Sequence, residues 1–294
     1  MKKLLRRAND YLSLVKFSHT VFAMPFALAG YFLGTTYPGY RFSITTFILV
    51  LACMVLARSA AMGFNRYADV RFDSLNPRTS GREIPSGKIS RNHALVFVII
   101  SSLLFITTTA FINRLTLILS PVALFIVLGY SYTKRFTPLS HLVLGLGLSL
   151  APAGAFIAVT GTLVLLPVIY SFIVLTWVSA FDIIYSLQDD QFDRETGLYS
   201  IPAVMSRNRA LAISTALHVL TVILVVVAGL LGKAGVIYWA GALVFIAMLT
   251  YQHLIVKPDD LSRVNLAFGT TNGIASIIYG AAVIVDLLLR QGPR

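Results

Sequence analysis

The 294 residues are 57% hydrophobic and 12% charged, with 24 Lys and Arg against 12 Asp and Glu and a formal net charge of +12. A soluble domain carries about 25% charged residues, so this composition, with a mean hydropathy of +0.80, excludes a soluble protein and specifies an integral membrane one. The single cysteine, Cys53, excludes an intrachain disulfide and a cysteine metal centre.

Apolar runs of roughly 20 residues, the length that crosses a bilayer as helix, recur from end to end. The basic start (Lys2, Lys3, Arg6, Arg7) is like that of a signal peptide. The apolar stretch after it holds Lys16 and His19 and no small-residue cleavage site, so it reads as a retained first helix. The expected spans are 14–36, 43–67, 92–113, 115–132, 139–160, 163–188, 210–231, 234–255 and 265–289. These nine helices make one all-α transmembrane domain over residues 1–294. The breaks at Asn113-Arg114 and Gly232-Lys233 are tight enough to read as helical hairpins.

Loop charge orients the bundle. Counting from inside, one set of alternate loops carries Arg71, Arg78, Arg82, Lys88 and Arg91, then Lys134 and Arg135, then Arg194, Arg207 and Arg209, then Lys257 and Arg263. The other set carries Arg41, Arg114 and Lys233, with Arg290 and Arg294 at the C-terminus. The positive-inside rule then places the N-terminus in the cytoplasm and the C-terminus outside. It also accounts for most of the net charge without nucleic acid.

Two carboxylate clusters interrupt the apolar pattern, Asn65 to Asp73 after the second span and Asp182 to Asp193 after the sixth. Acids at membrane depth are costly and functional by default, and both clusters fall on the cytoplasmic side with Lys134-Arg135. The four-span separation hints at two related halves. Asn65, Asp69 and Asp73 are spaced i, i+4, i+8; Asp182, Tyr185, Asp189 and Asp193 are spaced i, i+3, i+7, i+11. At about 100° per residue each set forms a stripe on one helix face.

Stacked carboxylates repel and need a cation, and hard oxygen ligands select Mg²⁺, held by carboxylates together with substrate phosphates. Two facing stripes suit two ions with a diphosphate between them. Arg66, Arg71, Arg78, Arg82, Lys134 and Arg135 are placed to surround the remaining oxygens, arginine in bidentate fashion. The chemistry this permits is departure of diphosphate from an allylic carbon, the leaving charge stabilised by metal and cations. A lipid-like chain would lie between the helices.

Plainer readings compete. One acidic stripe at a helix end reads equally well as a solvated cap; two on one side with matching spacing do not. Most loop arginines serve topology and anionic headgroups. His19, His141 and His218 read as hydrogen-bonded structural histidines, and Asp286 with Arg290 as a local i, i+4 ion pair. An ion-coupled transporter also holds membrane acids, but near the midplane and facing both sides, whereas these cluster on one side beside basic loops.

At these residues the chain resembles the UbiA superfamily of intramembrane prenyltransferases. Its signature is N-x-x-x-D-x-x-x-D after the second helix and D-x-x-Y-x-x-x-D-x-x-x-D after the sixth. A Tyr-x-x-x-Lys-Arg element after the fourth also matches, at Tyr130, Lys134 and Arg135. Asn65 to Thr79, Leu139 to Leu142, and Phe181-Asp182 through Phe192-Asp193 resemble the 4-hydroxybenzoate polyprenyltransferase group, tied to bacterial ubiquinone and menaquinone synthesis. The resemblance implies nine helices around a central cavity in the bacterial inner membrane. It implies transfer of a polyprenyl group from an allylic polyprenyl diphosphate to an aromatic acceptor, 4-hydroxybenzoate or a related quinone precursor; a naphthoate or haem-type acceptor is the neighbouring alternative.

By the same resemblance Asn65, Asp69 and Asp73 hold one Mg²⁺ and Asp189 and Asp193 the other, with Asp182 in support. Arg66 and Lys134, with Arg78, Arg82 and Arg135, clamp the diphosphate. Tyr185 or Asp182 stabilises the allylic cation or orients the phenol. Lys16 pairs with an acceptor carboxylate or snorkels to the interface. Two departures bear on loop geometry and acceptor identity: Glu83 and Ile84 separate Arg82 from Pro85 where many members have Arg-Pro, and Ser131 follows the tyrosine where many have proline.

Overall fold

The computed structural model describes residues 9–15 and 24–291. Among them, eight helices are long and apolar enough to cross a membrane: Ile44–Ala68, Arg91–Ala110, Arg114–Thr133, Ser140–Thr160, Leu165–Thr196, Arg207–Leu231, Val236–Ile255 and Leu266–Arg290. Seven lie within a few residues of an expected span; Leu165–Thr196 starts as expected and runs past 188, the end expected for the sixth. Of the first expected span, 14–36, the structure describes a twelve-residue helix, Met24–Thr35. The all-α expectation holds.

The helices are labelled α1 (Met24–Thr35), α2 (Ile44–Ala68), α3 (Val70–Leu75), α4 (Arg91–Ala110), α5 (Arg114–Thr133), α6 (Ser140–Thr160), α7 (Leu165–Ser186), α8 (Asp190–Thr196), α9 (Ile201–Val204), α10 (Arg207–Leu231), α11 (Val236–Ile255) and α12 (Asn272–Gln291). Their starts follow local chemistry. Ser43, Ser90 and Ser206 cap α2, α4 and α10 by accepting a backbone N–H three residues on. Asn113 and Thr116 form a reciprocal capping box that opens α5 immediately after the tight turn. Gly161 closes α6 in the left-handed conformation at φ 65°.

Helix α7 is the centre of the bundle, packed between α6 and α10, and α1 packs on both α6 and α12, with α11 beside α12. Phe26, Trp177, Phe245 and Tyr279 join α1, α7, α11 and α12 in one aromatic core. Helices α2, α4 and α5 form a second group that meets the first through α6. Helix α1 and α6 approach backbone to backbone at Gly30, where a Cβ would lie 2.1 Å from the Pro152 carbonyl oxygen. Small residues at such crossings are how helices pack where no hydrophobic gain separates protein from lipid.

Two polar readings are settled by partners. His218 on α10 bonds His253 on α11 across 2.8 Å. Arg290 pairs with Asp286 at 2.8 Å, but the pair is more than local. The Asp286 carboxylate accepts from the amides of Gly235 and Tyr238 at the start of α11, and Arg290 donates to the Gly232 and Lys233 carbonyls. His19 lies outside the described residues.

One expectation needs correcting. The acidic stripes do not run along unbroken helices, for both motif helices break at the central acid. Asp69 (φ −91°, ψ 6°) ends α2 and begins α3; Asp189 (φ −110°, ψ 3°) ends a 3₁₀ turn over Leu187–Asp189 and begins α8. Both occupy the sparsely allowed bridge between helix and strand. A helix end leaves carbonyls without intrahelical partners, and at the first break Arg135 supplies one, its Nη2 donating to the Ala68 carbonyl at 2.7 Å.

Candidate functional site

A cavity of about 1010 Å³ lies among α2, α5, α6 and α7. Its deeper walls are apolar, with Leu119, Ala123, Val127, Ala151 and Gly154 among the lining residues. Its other end is a polar chamber into which both motifs converge: Asn65, Arg66, Asp69, Asp73, Arg78, Arg82, Lys134, Asp182, Tyr185, Asp189 and Asp193 all line it. Three stretches of sequence about 60 residues apart therefore meet at one end of the bundle, because α2, α5 and α7 all finish there.

Asp69, Asp73 and Asp193 are buried, Asp182 and Asp189 partly so, and the chamber acids are engaged. Asp69 accepts from Asn65 Nδ2 at 3.0 Å and pairs with Lys134 Nζ at 3.2 Å and Arg135 Nη2 at 3.4 Å. Asp73 pairs with Arg82 at 2.6 Å, while its Oδ2 is buried without a hydrogen-bond partner among the described residues. Asp189 is gripped by Arg78, whose Nε donates at 2.9 Å beside a second contact from Nη2, and by Asn76 Nδ2 at 3.0 Å. The loop after the first motif thus reaches across to the second. Burial opposes charge on Arg78, but the hydrogen bond and charge of Asp189, then Tyr185, hold its pKa above the ordinary guanidinium value. Ser200 hydrogen-bonds Asp193.

Arg66 is 5% exposed, donates to Asn65 Oδ1 at 3.3 Å, and lies within electrostatic reach of Asp73, Arg82 and Glu83. Tyr185 accepts from Arg78 Nη1 at 2.8 Å and stacks on Phe268, the ring centroids 4.1 Å apart. Arg135 does not line the cavity; it rests over Tyr132 and Phe72 while gripping the end of α2. Asp190, inside the second cluster, faces away and takes both the Nε and Nη2 of Arg207 at the start of α10. Lys16 lies outside the described residues.

Four cavity-lining residues were given no role at the site from sequence. Arg58 sits on α2 seven residues before Asn65, about 10 Å deeper at 1.5 Å per residue. A charge inside an apolar 25-residue helix was its available signal. Glu83 is 6% exposed and accepts from Ser13 at 2.5 Å. His141, read as structural, bonds a chamber acid, Asp182, at 2.7 Å. Ser200 has no signal beyond its place in a short loop.

Among the described residues, no three acid, histidine or cysteine side chains converge as a ready metal cage; Asp69, Asp73 and Asp189 are each engaged by a different cation. The donor set is nonetheless all hard oxygen, and the partnerless, buried Asp73 Oδ2 is an acceptor that a divalent cation would satisfy.

An apolar membrane cavity capped by a chamber of paired acids and cations defines an integral membrane protein built to hold an anionic group on an apolar body. The model of the UbiA prenyltransferase family matches residues 23–277, and the chain belongs to that family. It is a UbiA-type prenyltransferase. The chain is similar to the 4-hydroxybenzoate octaprenyltransferase of Nitrosomonas europaea, 30% identical over 243 residues that make up 83% of this chain and 82% of the relative. Among solved structures it is similar to the apo UbiA homolog from Aeropyrum pernix K1, 35% identical with a TM-score of 0.82, over 91% of this chain and 98% of that one. The UbiA homolog from Archaeoglobus fulgidus bound to GPP and Mg²⁺ shares the fold at 22% identity and a TM-score of 0.72, covering 94% and 99%.

Proposed function

We propose that the protein transfers a polyprenyl group from an allylic polyprenyl diphosphate to the ring of 4-hydroxybenzoate, in quinone synthesis at the bacterial inner membrane. The observation that carries this is the reach of Arg78, from the loop of the first motif, to Asp189 of the second. It makes one chamber of two distant acidic motifs, directly above an apolar cavity suited to a prenyl chain. The relatives named for 4-hydroxybenzoate and the homolog bound to GPP and Mg²⁺ support the same reading.

Asn65, Asp69 and Asp73 would hold one Mg²⁺, and Asp189 and Asp193 a second. When bound, Mg²⁺ supplies positive charge that binds the diphosphate oxygens and stabilises them as a leaving group. Arg66, Arg78, Arg82 and Lys134 neutralise the rest of that charge, while Arg135 holds Asp69 in place. The allylic C–O bond breaks with its electron pair on the departing oxygen. The stacked faces of Tyr185 and Phe268 border the chamber and favour the resulting carbocation. The ring carbon ortho to the acceptor hydroxyl then bonds the allylic carbon and loses its proton. Asp182 accepts from the acceptor hydroxyl, and Arg58, deeper in the cavity, pairs with the acceptor carboxylate.

Purified protein supplied with a polyprenyl diphosphate and Mg²⁺ should release diphosphate and form prenylated 4-hydroxybenzoate. A dihydroxynaphthoate given in parallel should react at least tenfold more slowly, the scale on which one misplaced polar group discriminates. Preference for the naphthoate would overturn the acceptor assignment.

The same reading sets the chamber on the cytoplasmic side. Ser80 is exposed in the loop beside it. A cysteine at Ser80, in a chain with Cys53→Ser, should be labelled by an impermeant thiol reagent in inside-out vesicles and spared in intact cells. Labelling in intact cells would invert the topology.

A further inference from the structure

His141 stands at the start of α6, on neither acidic motif, yet its ring lies between Asp182 of the second motif and the start of α9 beyond it. It is 3% exposed, and its Nδ1 is 2.7 Å from Asp182 Oδ2. On its other side the backbone amide of Ile201 donates to Nε2 at 3.3 Å. An amide N–H only donates, so Nε2 is the acceptor of this pair. The neutral ring therefore carries its proton on Nδ1 and donates it to Asp182. Ser179 Oγ, bonded to the His141 carbonyl at 3.2 Å, fixes the backbone beneath the ring.

Two consequences follow from this tautomer. Asp182 has one carboxylate oxygen held by a donor, which leaves Oδ1, without a hydrogen bond among the described residues, for a ligand in the cavity. The ring also cannot relay a proton through Nε2 without giving up Ile201. Ile201 follows Ser200, whose hydroxyl bonds Asp193, so the one imidazole ties Asp182 to the segment that supports Asp193.

We propose that His141 is a positioning residue for prenyl transfer: its Nδ1–H holds Asp182 with Oδ1 turned to the hydroxyl of the aromatic acceptor. The inference rests on the reading above that Asp182 meets the acceptor. Loss of such an orienting partner typically costs roughly 10- to 100-fold in activity.

Replacement series at this one position separate its two bonds. Asparagine can place an amide nitrogen where Nδ1 sits; glutamine places its amide where Nε2 sits. His141→Leu is expected to lower kcat roughly 10- to 100-fold, with the KM for the polyprenyl diphosphate unchanged. His141→Asn should recover kcat to within about threefold of the parent, and His141→Gln should stay near the leucine variant. Thermal unfolding of each variant in detergent reports whether the fold is intact. Recovery by glutamine and not asparagine would overturn the proposal, because the Ile201 contact would then be what matters. Full activity in His141→Leu, or equal loss in all three, overturns it as well. Asp182→Asn tests the underlying reading separately: unchanged kcat there removes Asp182 from acceptor binding, and the role of His141 with it.

Discussion

Asp69→Ala and Asp189→Ala are each expected to lower prenyl transfer by on the order of 10³-fold or more, the scale of losing a main electrostatic element of a buried site. Each acid is the central one of its motif and the residue at which its helix breaks. Asp69 collects Asn65, Lys134 and Arg135; Asp189 collects Asn76 and Arg78. Alanine removes the oxygen pair proposed to hold metal and leaves the partly exposed cations Lys134 and Arg135, or Arg78, without their partner, so both ends of the charge arrangement fail at once. The variants should still insert and fold, because the apolar spans and the aromatic core around Trp177 do not involve these side chains. Activity at fixed donor concentration against added Mg²⁺ is the measurement. Near-parental transfer by either variant at any Mg²⁺ level would refute the two-motif assignment.

The second large effect concerns Arg58. In Arg58→Met the KM for 4-hydroxybenzoate is expected to rise roughly 30-fold or more, since removing one partner of a buried charge pair costs about 2–5 kcal/mol and each 1.4 kcal/mol is about tenfold. The KM for the polyprenyl diphosphate should hardly move, because Arg58 lies about 10 Å below Asn65 along the helix. Methionine keeps much of the apolar length, and thermal unfolding of the variant in detergent checks that the fold survives. An acceptor analogue without the carboxylate should bind parent and variant alike. If Arg58→Met instead weakened the diphosphate and left 4-hydroxybenzoate untouched, Arg58 would belong to the donor half of the site.

The fold was highly legible because hydropathy decides it: a bilayer-length apolar run has few options but a helix, and eight of the expected spans are matched, seven of them to within a few residues at both ends. The motif acids were legible because charge in such runs is rare. The breaks at Asp69 and Asp189 were hidden, since i, i+4 spacing reads the same across a kink as along a straight helix. Arg58 carried the same kind of signal, a charge in an apolar helix, but stands alone seven residues before the motif and belongs to no spaced set. His141 was visible as a residue but not as a partner of Asp182, which lies 41 positions away. Arg135, adjacent to Lys134 and identical in charge, was assigned the same task; only the turn of the backbone at the end of α5 sends one side chain into the cavity and the other onto the Ala68 carbonyl.

The pairing of every central acid with a cation has a consequence for how a charged substrate enters. On the proposed reading a diphosphate and its metal meet groups that are already paired: Arg78, Arg82 and Lys134 would exchange a carboxylate for a phosphate oxygen, and the carboxylates a guanidinium or ammonium for the metal. Donor binding is therefore a swap of partners within a fixed set of positive and negative groups. A prenyl diphosphate carries about three negative charges and two Mg²⁺ about four positive ones, so the net charge that the low-dielectric helices face changes by about one unit instead of about three.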